Sequence, residues 1–558
     1  MTRKTSDQDL SAPAPVSPVQ LEIFKNRFAS IAEEMGVTLT RTAFSPNIKE
    51  RRDLSCALFD ANGDMVAQAA HIPVHLGSMP LSVRAAIMEL DLGPGDMAML
   101  NDPYRGGTHL PDITLIAPVF APGESRPAFF AANRAHHADV GGMAGGSMPL
   151  SSSLFQEGLI IPPVKIMERG EIVEPIMRLV LANVRTPAER RGDFEAQIIA
   201  NRVGARRLGE LLAAHGAARL TRLASALADY SETLLRGVIE RIPDGSSSFS
   251  DVLDDDGQGN GPLEIHLRLT VSGQDAELDF TGSADQTPGC VNAVRAITLS
   301  AVLYSFLALA RSTSQGLDFP ANAGCMRPLK VLTRPGSLLD ARFPAAVAGG
   351  NVETSQRIVD VVLGALAKAL PGLIPAASQG TMNNLTVSGV LPRPQTIDDE
   401  RPADAAGPGD SAFAYYETLG GGMGGGPFGP GESGVHSHMT NTLNTPVEAL
   451  EFAYPLRVTR FGLRRGSGGV GEHPGGDGLV REIQALAPCE ATLLTDRRIH
   501  SPFGLQGGQP GTPGRNLLLR REGRQDPLPG KAHVLLRAGD SLRLETPGGG
   551  GWGKVRSE

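Results

Sequence analysis

Residues 101–142 read NDPYRGGTHLPDITLIAPVFAPGESRPAFFAANRAHHADVGG. Two apolar runs, 113–120 and 128–133, flank a stretch containing Pro122 and Gly123. Short apolar runs cut by turn residues predict a β-hairpin. Centring the turn near Glu124 places Asp112 opposite His136. Directly opposed residues carry Cβ atoms roughly 4.5–5.5 Å apart. His109, Asp112 and His136 therefore converge at the open end of the hairpin, with His137 and Asp139 beside them. Two imidazoles and a carboxylate suit a divalent transition metal such as Zn, Mn or Fe, with positions left for water or substrate. The ordinary alternative is a set of turn and half-buried residues without a metal.

Outward from this hairpin the pattern is mixed. Leu21, Phe24, Phe28, Ile31, Met35 and Leu39 recur every three or four residues, which predicts an amphipathic helix over 18–43. Residues 56–68 flank an Asn-Gly with short apolar runs, a second hairpin signal. Helical character covers 187–240, 291–311 and 354–370, and strands are expected at 263–271 and 275–280. Residues 245–262 (GSSSFSDVLDDDGQGNGP) read as an acidic loop, and 392–411 as a solvated insertion. Beyond 450, short strands alternate with glycine turns. The expected architecture is a multidomain α+β or mixed α/β protein with a β-rich C-terminal region. Its parts are a disordered tail (1–17), an N-terminal α+β region with the hairpin (18–245) and a central α/β region (246–390). The insertion (391–412) and a glycine-rich, β-rich end (413–558) follow.

Composition narrows the function classes. Over 558 residues, 41% are apolar and 20% charged, and the net charge is −8 without a block of one sign. A nucleic-acid footprint is not expected, nor a membrane span. The N-terminus lacks the apolar segment of a secretory signal. The four cysteines, at 56, 290, 325 and 489, form no CxxC pair. Scattered cysteines suit a reducing compartment, so the cytoplasm is the expected location.

The remaining histidine clusters are weaker. In an extended chain His71 and His75 would stand about 13 Å apart, too far to share one ion. His436 and His438 would lie on one face about 6.5–7 Å apart. They follow the run Gly420–Gly422, Met423, Gly424–Gly426, whose backbone N–H groups could approach an anion or a carbonyl. No phosphate-binding GxxxxGK[ST], no GxSxG and no HExxH is present. A nucleotide-dependent reaction would need its nucleotide site on another chain or domain.

Several longer segments resemble one family. They are ERRDLSCALFD (50–60), HIPVHLGSMP (71–80), NDPYRGGTHLPDI (101–113), HHADVGG (136–142) and AAVAGGNVETSQR (345–357). YYETLGGGMGGG (415–426), GVHSHMTNT (434–442), LTDRR (494–498) and ETPGGGGWG (545–553) continue it. Taken in order, they resemble the hydantoinase B/oxoprolinase family over nearly the whole chain. That family includes N-methylhydantoinase B-type chains, the C-terminal half of 5-oxoprolinase, caprolactamase, and subunits of acetone and acetophenone carboxylases. The resemblance implies ATP-dependent opening of a small cyclic amide, with ATP and Mg used by a hydantoinase A-type ATPase partner in a hetero-oligomer such as α2β2. It implies that His109, Asp112 and His136 are the metal ligands, with His137 and Asp139 beside them.

The expected chemistry follows from those parts. The partner activates the amide by phosphorylation, and water activated at the metal opens the ring. His436, His438, His137 and Asp139 are the candidate proton-transfer residues. Asp102, Arg105, His75, Gly421 and Gly422 are the candidate substrate-binding residues, with Arg105 and the glycine run suited to phosphate or carboxylate oxygens. The alternatives are a component of an ATP-dependent ketone carboxylase and a non-catalytic scaffold for the ATPase.

Overall fold

The computed structural model describes residues 16–69, 72–313, 319–391 and 412–555. Nearly all of the expected tail, His71 and almost all of the 391–412 insertion lie outside them.

The long amphipathic segment forms the helix Pro18–Thr42. Ser17 begins it by accepting from the Gln20 N–H, while the Gln20 side chain accepts from the Ser17 N–H. This reciprocal pair satisfies two N–H groups that a helix start leaves free. Phe28, Met35 and Leu39 bury the helix against a seven-stranded antiparallel sheet. The sheet order is Met65–Gln68, Leu54–Asp60, Pro127–His136, Asp112–Phe120, Met97–Leu100, Val164–Glu168, Glu171–Ile172. Side chains alternate between faces along each strand. Leu54, Cys56 and Leu58 therefore meet the helix Pro18–Thr42, while Ala57 and Phe59 face the larger core on the other side; the helix Pro187–His215 packs on the two hairpin strands. Both faces are covered, so the hairpin at the sheet's centre is buried along most of its length.

The central region carries a four-stranded sheet ordered Leu329–Leu332, Asp275–Asp279, Leu263–Ser272, Gly245–Leu253. The helices Arg295–Thr313 and Ser355–Ala369 pack together, and Ser355–Ala369 lies on this sheet. Arg295–Thr313 is long and apolar enough to cross a membrane by length and composition, and 67% of that stretch is buried inside the protein. One expectation fails here. Residues 245–253 form a nine-residue strand, in register with Leu263–Ser272 from Gly245↔Val271 to Leu253↔Leu263. Its serines and aspartate disfavour a strand locally, but it is an edge strand whose neighbour and covering helix supply the pairing and packing. The loop is confined to the residues after it.

The C-terminal region holds two sheets, one ordered Ala412–Glu417, Asn384–Val390, Cys489–Leu494, Lys531–Leu536. The other is ordered Leu456–Arg464, Gly478–Ala485, Ser541–Glu545, Arg515–Leu519, Gln525–Leu528. Asn384–Val390, assigned from sequence to the central region, pairs with Ala412–Glu417 and Cys489–Leu494. The 391–412 segment therefore joins two partners of one hairpin.

The glycine runs have a structural explanation. The N–H of Gly422 donates to Pro547, that of Gly425 to Gly550, and that of Gly550 to Ala377. A methyl at Gly422 would meet the Gly476 carbonyl and the Gly549 N–H, and one at Gly549 would meet the Met423 carbonyl. Glycine is needed there because backbone packs directly on backbone.

Candidate metal centre

The hairpin pairs as counted: Asp112 stands opposite His136. A bulge between Val119 and Phe120 absorbs the odd residue near the turn. His109 precedes the first strand, and its carbonyl accepts from the Asp112 N–H at 3.2 Å. The His109 Nε2 lies 3.0 Å from Asp112 Oδ1 and the His136 Nδ1 lies 3.2 Å from the same oxygen. All three side chains are buried, and one ligand atom from each lies within 4.8 Å of the others.

Other residues converge on the same carboxylate. His75 Nε2 is 3.3 Å from Asp112 Oδ2. The Thr108 hydroxyl donates to that oxygen at 2.8 Å, and the Asn351 amide reaches it at 3.3 Å. Asn351 also lies 3.0 Å from His109 Nε2. On the far side the His136 ring stacks on Tyr416, centroids 4.4 Å apart and planes 14° apart. The Tyr416 hydroxyl donates to Asn384, whose amide donates to Glu353. Burial alone would raise the Asp112 carboxyl, but the imidazoles of His109 and His75 outweigh it and hold it well below the usual range. Burial lowers the pKa of His136, and the hydrogen bond to Asp112 offsets part of that.

These residues fit a divalent ion. The donors are imidazole and carboxylate, the set that transition metals prefer. His136 Nε2 and Asn351 Oδ1 are buried without a hydrogen-bond partner among the described residues, an arrangement that is uncommon unless something binds there. A small void lies against them, lined by Asp53, His75, Asp112, His136, Asn351 and Tyr416.

A larger cavity, about 560 Å³, abuts this void; Ile72 and Thr440 line both. Its walls include Leu76, Leu307, Leu363 and Ile374, and its polar groups include Tyr304, His436 and His438. Burial lowers the pKa of His436 to about 3 and that of His438 to about 4, so both are neutral imidazoles at neutral pH.

The structure separates most of the other sequence candidates from these cavities. His137 follows His136, so it points through the sheet to the opposite face. There its Nε2 pairs with Gln197 at 2.9 Å and its ring stacks on Phe194. Asp139 holds Arg185 at 2.8 Å and accepts from its backbone N–H. Both are expected from sequence as catalytic groups; in the structure they brace the chain around the hairpin and line neither the void nor the cavity. Asp102 caps a short turn by accepting from the Tyr104 N–H, and Arg105 pairs with Glu89 at the surface. Neither lines the void or the cavity. Gly421 and Gly422 direct their N–H groups to Val435 and Pro547, so the run presents no free anion nest at these positions. His75, expected to touch substrate, faces Asp112 and lines the small void. The sequence reading missed Thr108, Asn351, Tyr416 and Asp53. Each lies in a segment quoted for the family resemblance, but only the folded chain shows what it touches.

Known proteins share this architecture. The family description Hydantoinase B/oxoprolinase matches residues 17–555. The chain is 41% identical to 5-oxoprolinase 1 of Arabidopsis thaliana, across 96% of this chain and 42% of that one. It is 30% identical to a putative B-type D-/L-hydantoinase subunit of a Pseudomonas species, across 96% and 90%. It thus spans about two fifths of its oxoprolinase relatives and nearly the whole of the Pseudomonas hydantoinase chain. Among solved structures, the ATP-dependent caprolactamase of Pseudomonas jessenii superposes with a TM-score of 0.86 at 26% identity, covering 97% of this chain and 92% of that one. A nucleotide-free acetone carboxylase superposes at 0.85 with 17% identity, covering 96% and 76%, a likeness of fold alone. The chain belongs to the hydantoinase B/oxoprolinase family.

Proposed function

We propose that this chain is the metal-binding subunit of an ATP-dependent hydrolase of cyclic amides, of the hydantoin, oxoproline or lactam kind. The observation that carries this reading is the buried His109, Asp112 and His136 group beside a large, mainly apolar cavity. Its relatives are named for ring-opening amide hydrolysis, and one is named as a single component of a hydantoinase. The sequence has no phosphate-binding loop, which supports a hydantoinase A-type ATPase partner that uses ATP and Mg, in an assembly such as α2β2.

In this reading His109, Asp112 and His136 hold Zn, Mn or Fe, and His75 and Asp53 line the space that remains. When bound, the ion supplies Lewis acidity at the reacting amide. Thr108 and Asn351 orient Asp112, and the Tyr416 ring fixes the plane of His136. The apolar walls of the cavity suit the hydrocarbon part of a bound ring. His436 lines the cavity with both ring nitrogens buried and unpartnered among the described residues, so it is placed to exchange a hydrogen bond with the bound ring, while its lowered pKa makes it a weak base on its own.

The test is co-expression with an A-type partner, then ATP turnover on a panel of cyclic amides and ketones, with and without bicarbonate. Ring opening without bicarbonate is expected. The double variant His109→Ala, Asp112→Ala should lose both metal and turnover; full turnover in a metal-free double variant would defeat the proposal. Turnover only with a ketone and bicarbonate would move the chain to the carboxylase branch.

A further inference from the structure

The large cavity contains a line of polar groups that the metal centre does not use. His438 lines the cavity in the left-handed backbone region, φ 58°, although it is not glycine. Side chains rarely adopt that conformation without a surrounding structure that imposes it. Here the carbonyl of Ser437 accepts from the Gln356 amide and that of Met439 from the Val74 N–H. The turn is thus pinned on both sides of His438, with its ring between two partners. Its Nδ1 lies 3.4 Å from the Tyr304 hydroxyl. Its Nε2 lies 3.8 Å from Asp360 Oδ1. Both of these last atoms are buried without a hydrogen-bond partner among the described residues. The other oxygen of Asp360 accepts from Arg357 at 3.2 Å and from Arg497 at 2.7 Å, so the carboxylate is anchored and its free oxygen faces the imidazole.

The directions of the hydrogen bonds follow from this order. Burial and the neighbouring Asp251 charge push the Asp360 carboxyl up, but Arg357 and Arg497 both donate to its other oxygen and hold the carboxylate form; facing that acceptor, neutral His438 carries its proton on Nε2. Nδ1 is then an acceptor, and the Tyr304 hydroxyl must donate to it. The His438 backbone N–H also faces the phenol oxygen, which leaves that oxygen one lone pair to direct into the cavity. A phenol that donates its proton to His438 becomes a stronger acceptor at its own oxygen, and the Asp360 charge near Nε2 favours that polarity.

We propose that the Tyr304, His438 and Asp360 line recognises the ring N–H of a secondary cyclic amide, with Tyr304 as the contact and His438 and Asp360 as positioning residues. The proposal rests on the cyclic-amide reading above and narrows it to rings that carry a free N–H. It assigns specificity to a part of the cavity distinct from the metal group.

The probes are ε-caprolactam and ε-caprolactone, rings of equal size that differ at the N–H. Their binding to the full chain is measured by ligand-observed NMR titration, without ATP or partner. The wild-type protein should bind the lactam at least about tenfold more tightly than the lactone, because a site built to accept a hydrogen bond discriminates against an analogue lacking the donor. Tyr304→Phe, which removes one oxygen, should bring the two within about twofold while the unfolding temperature stays near that of wild type. His438→Phe, which removes the acceptor behind the phenol, should weaken the preference without abolishing it. Equal binding of the two rings by wild type, or a preference that survives in Tyr304→Phe, overturns the proposal. Neither result depends on turnover, so the metal-centre reading stands or falls by its own assay.

Discussion

At the scale of single residues, Asp112 is the point on which the candidate centre turns. Three imidazoles, one hydroxyl and one amide approach its two oxygens. Thr108→Val removes the hydroxyl and keeps the shape. Partners that orient a ligand typically contribute about 10–100-fold to metal affinity, and a loss in that range is expected by competitive chelator titration. A second residue offers a test by pH. Burial raises the pKa of Glu353 to about 7, and Asp496 pushes it in the same direction. Between the ordinary value of 4.5 and about 7 the folded protein keeps a proton that the unfolded chain has released. Stability therefore falls as pH rises through that window. Glu353→Gln keeps an acceptor for the Met382 N–H and the Asn384 amide and carries no charge. It should match wild type near pH 4.5 and exceed it by about 3 kcal/mol near pH 8, measured by urea unfolding. An equal difference at both pH values would show that the carboxyl does not titrate in that window.

Legibility at this scale depended on whether a contact was local. Asp112 and His136 could be matched by counting along one hairpin, because antiparallel register follows from the turn. The same alternation argues that His136 and His137 face opposite ways, which places His137 away from the metal group. Asn351 and Tyr416 reach the centre from far along the chain, and no periodicity marks them. An extended-chain spacing misplaces His75, because residues Pro73–His75 form a short 3-10 turn that aims its ring at Asp112.

At the scale of elements, the glycine runs distinguish two uses of one residue type. Gly422 has an ordinary backbone conformation, so only the lack of space demands glycine. Ala at 422 must displace the Gly476 and Gly549 backbones, and overpacking of this kind costs about 1–3 kcal/mol or more. Gly209 lies in the helix Pro187–His215 with open space where a Cβ would sit. Ala there should stabilise by about 0.5–1 kcal/mol through helix propensity. Opposite shifts in unfolding temperature are expected for Gly422→Ala and Gly209→Ala; shifts of the same sign would show that the close backbone packing is not what fixes glycine at 422. From sequence the 420–426 run reads as backbone open to an anion, because its real partners, such as Pro547 and Gly550, lie over a hundred residues away. The strand Gly245–Leu253 was hidden for the opposite reason: its local composition is that of a loop, and its tertiary neighbours override it.

At the scale of the whole molecule, the question is what locks the central region to the C-terminal one. The sequence divided them near residue 390, whereas the sheets interleave them through Asn384–Val390. Beneath that junction lies a buried group of charges. Asp251 comes from Gly245–Leu253, Arg357 and Asp360 from Ser355–Ala369, and Asp496 and Arg497 from the LTDRR segment. Arg497 lies 2.6 Å from Asp251 and 2.7 Å from Asp360, while Arg357 lies 3.0 Å from Asp496. Taking these ions out of water is costly, and their mutual pairing offsets that cost. Removing one member strands the others, so Arg497→Met should destabilise by about 3–5 kcal/mol in guanidinium unfolding. Asp251→Asn in the same chain removes one of the stranded charges. The double variant should therefore be less destabilised than the sum of the two single changes, a coupling of about 0.5–3 kcal/mol. Strict additivity would mean that Arg497 and Asp251 act independently, and the lock between the two regions would then have to be sought in the shared sheet instead.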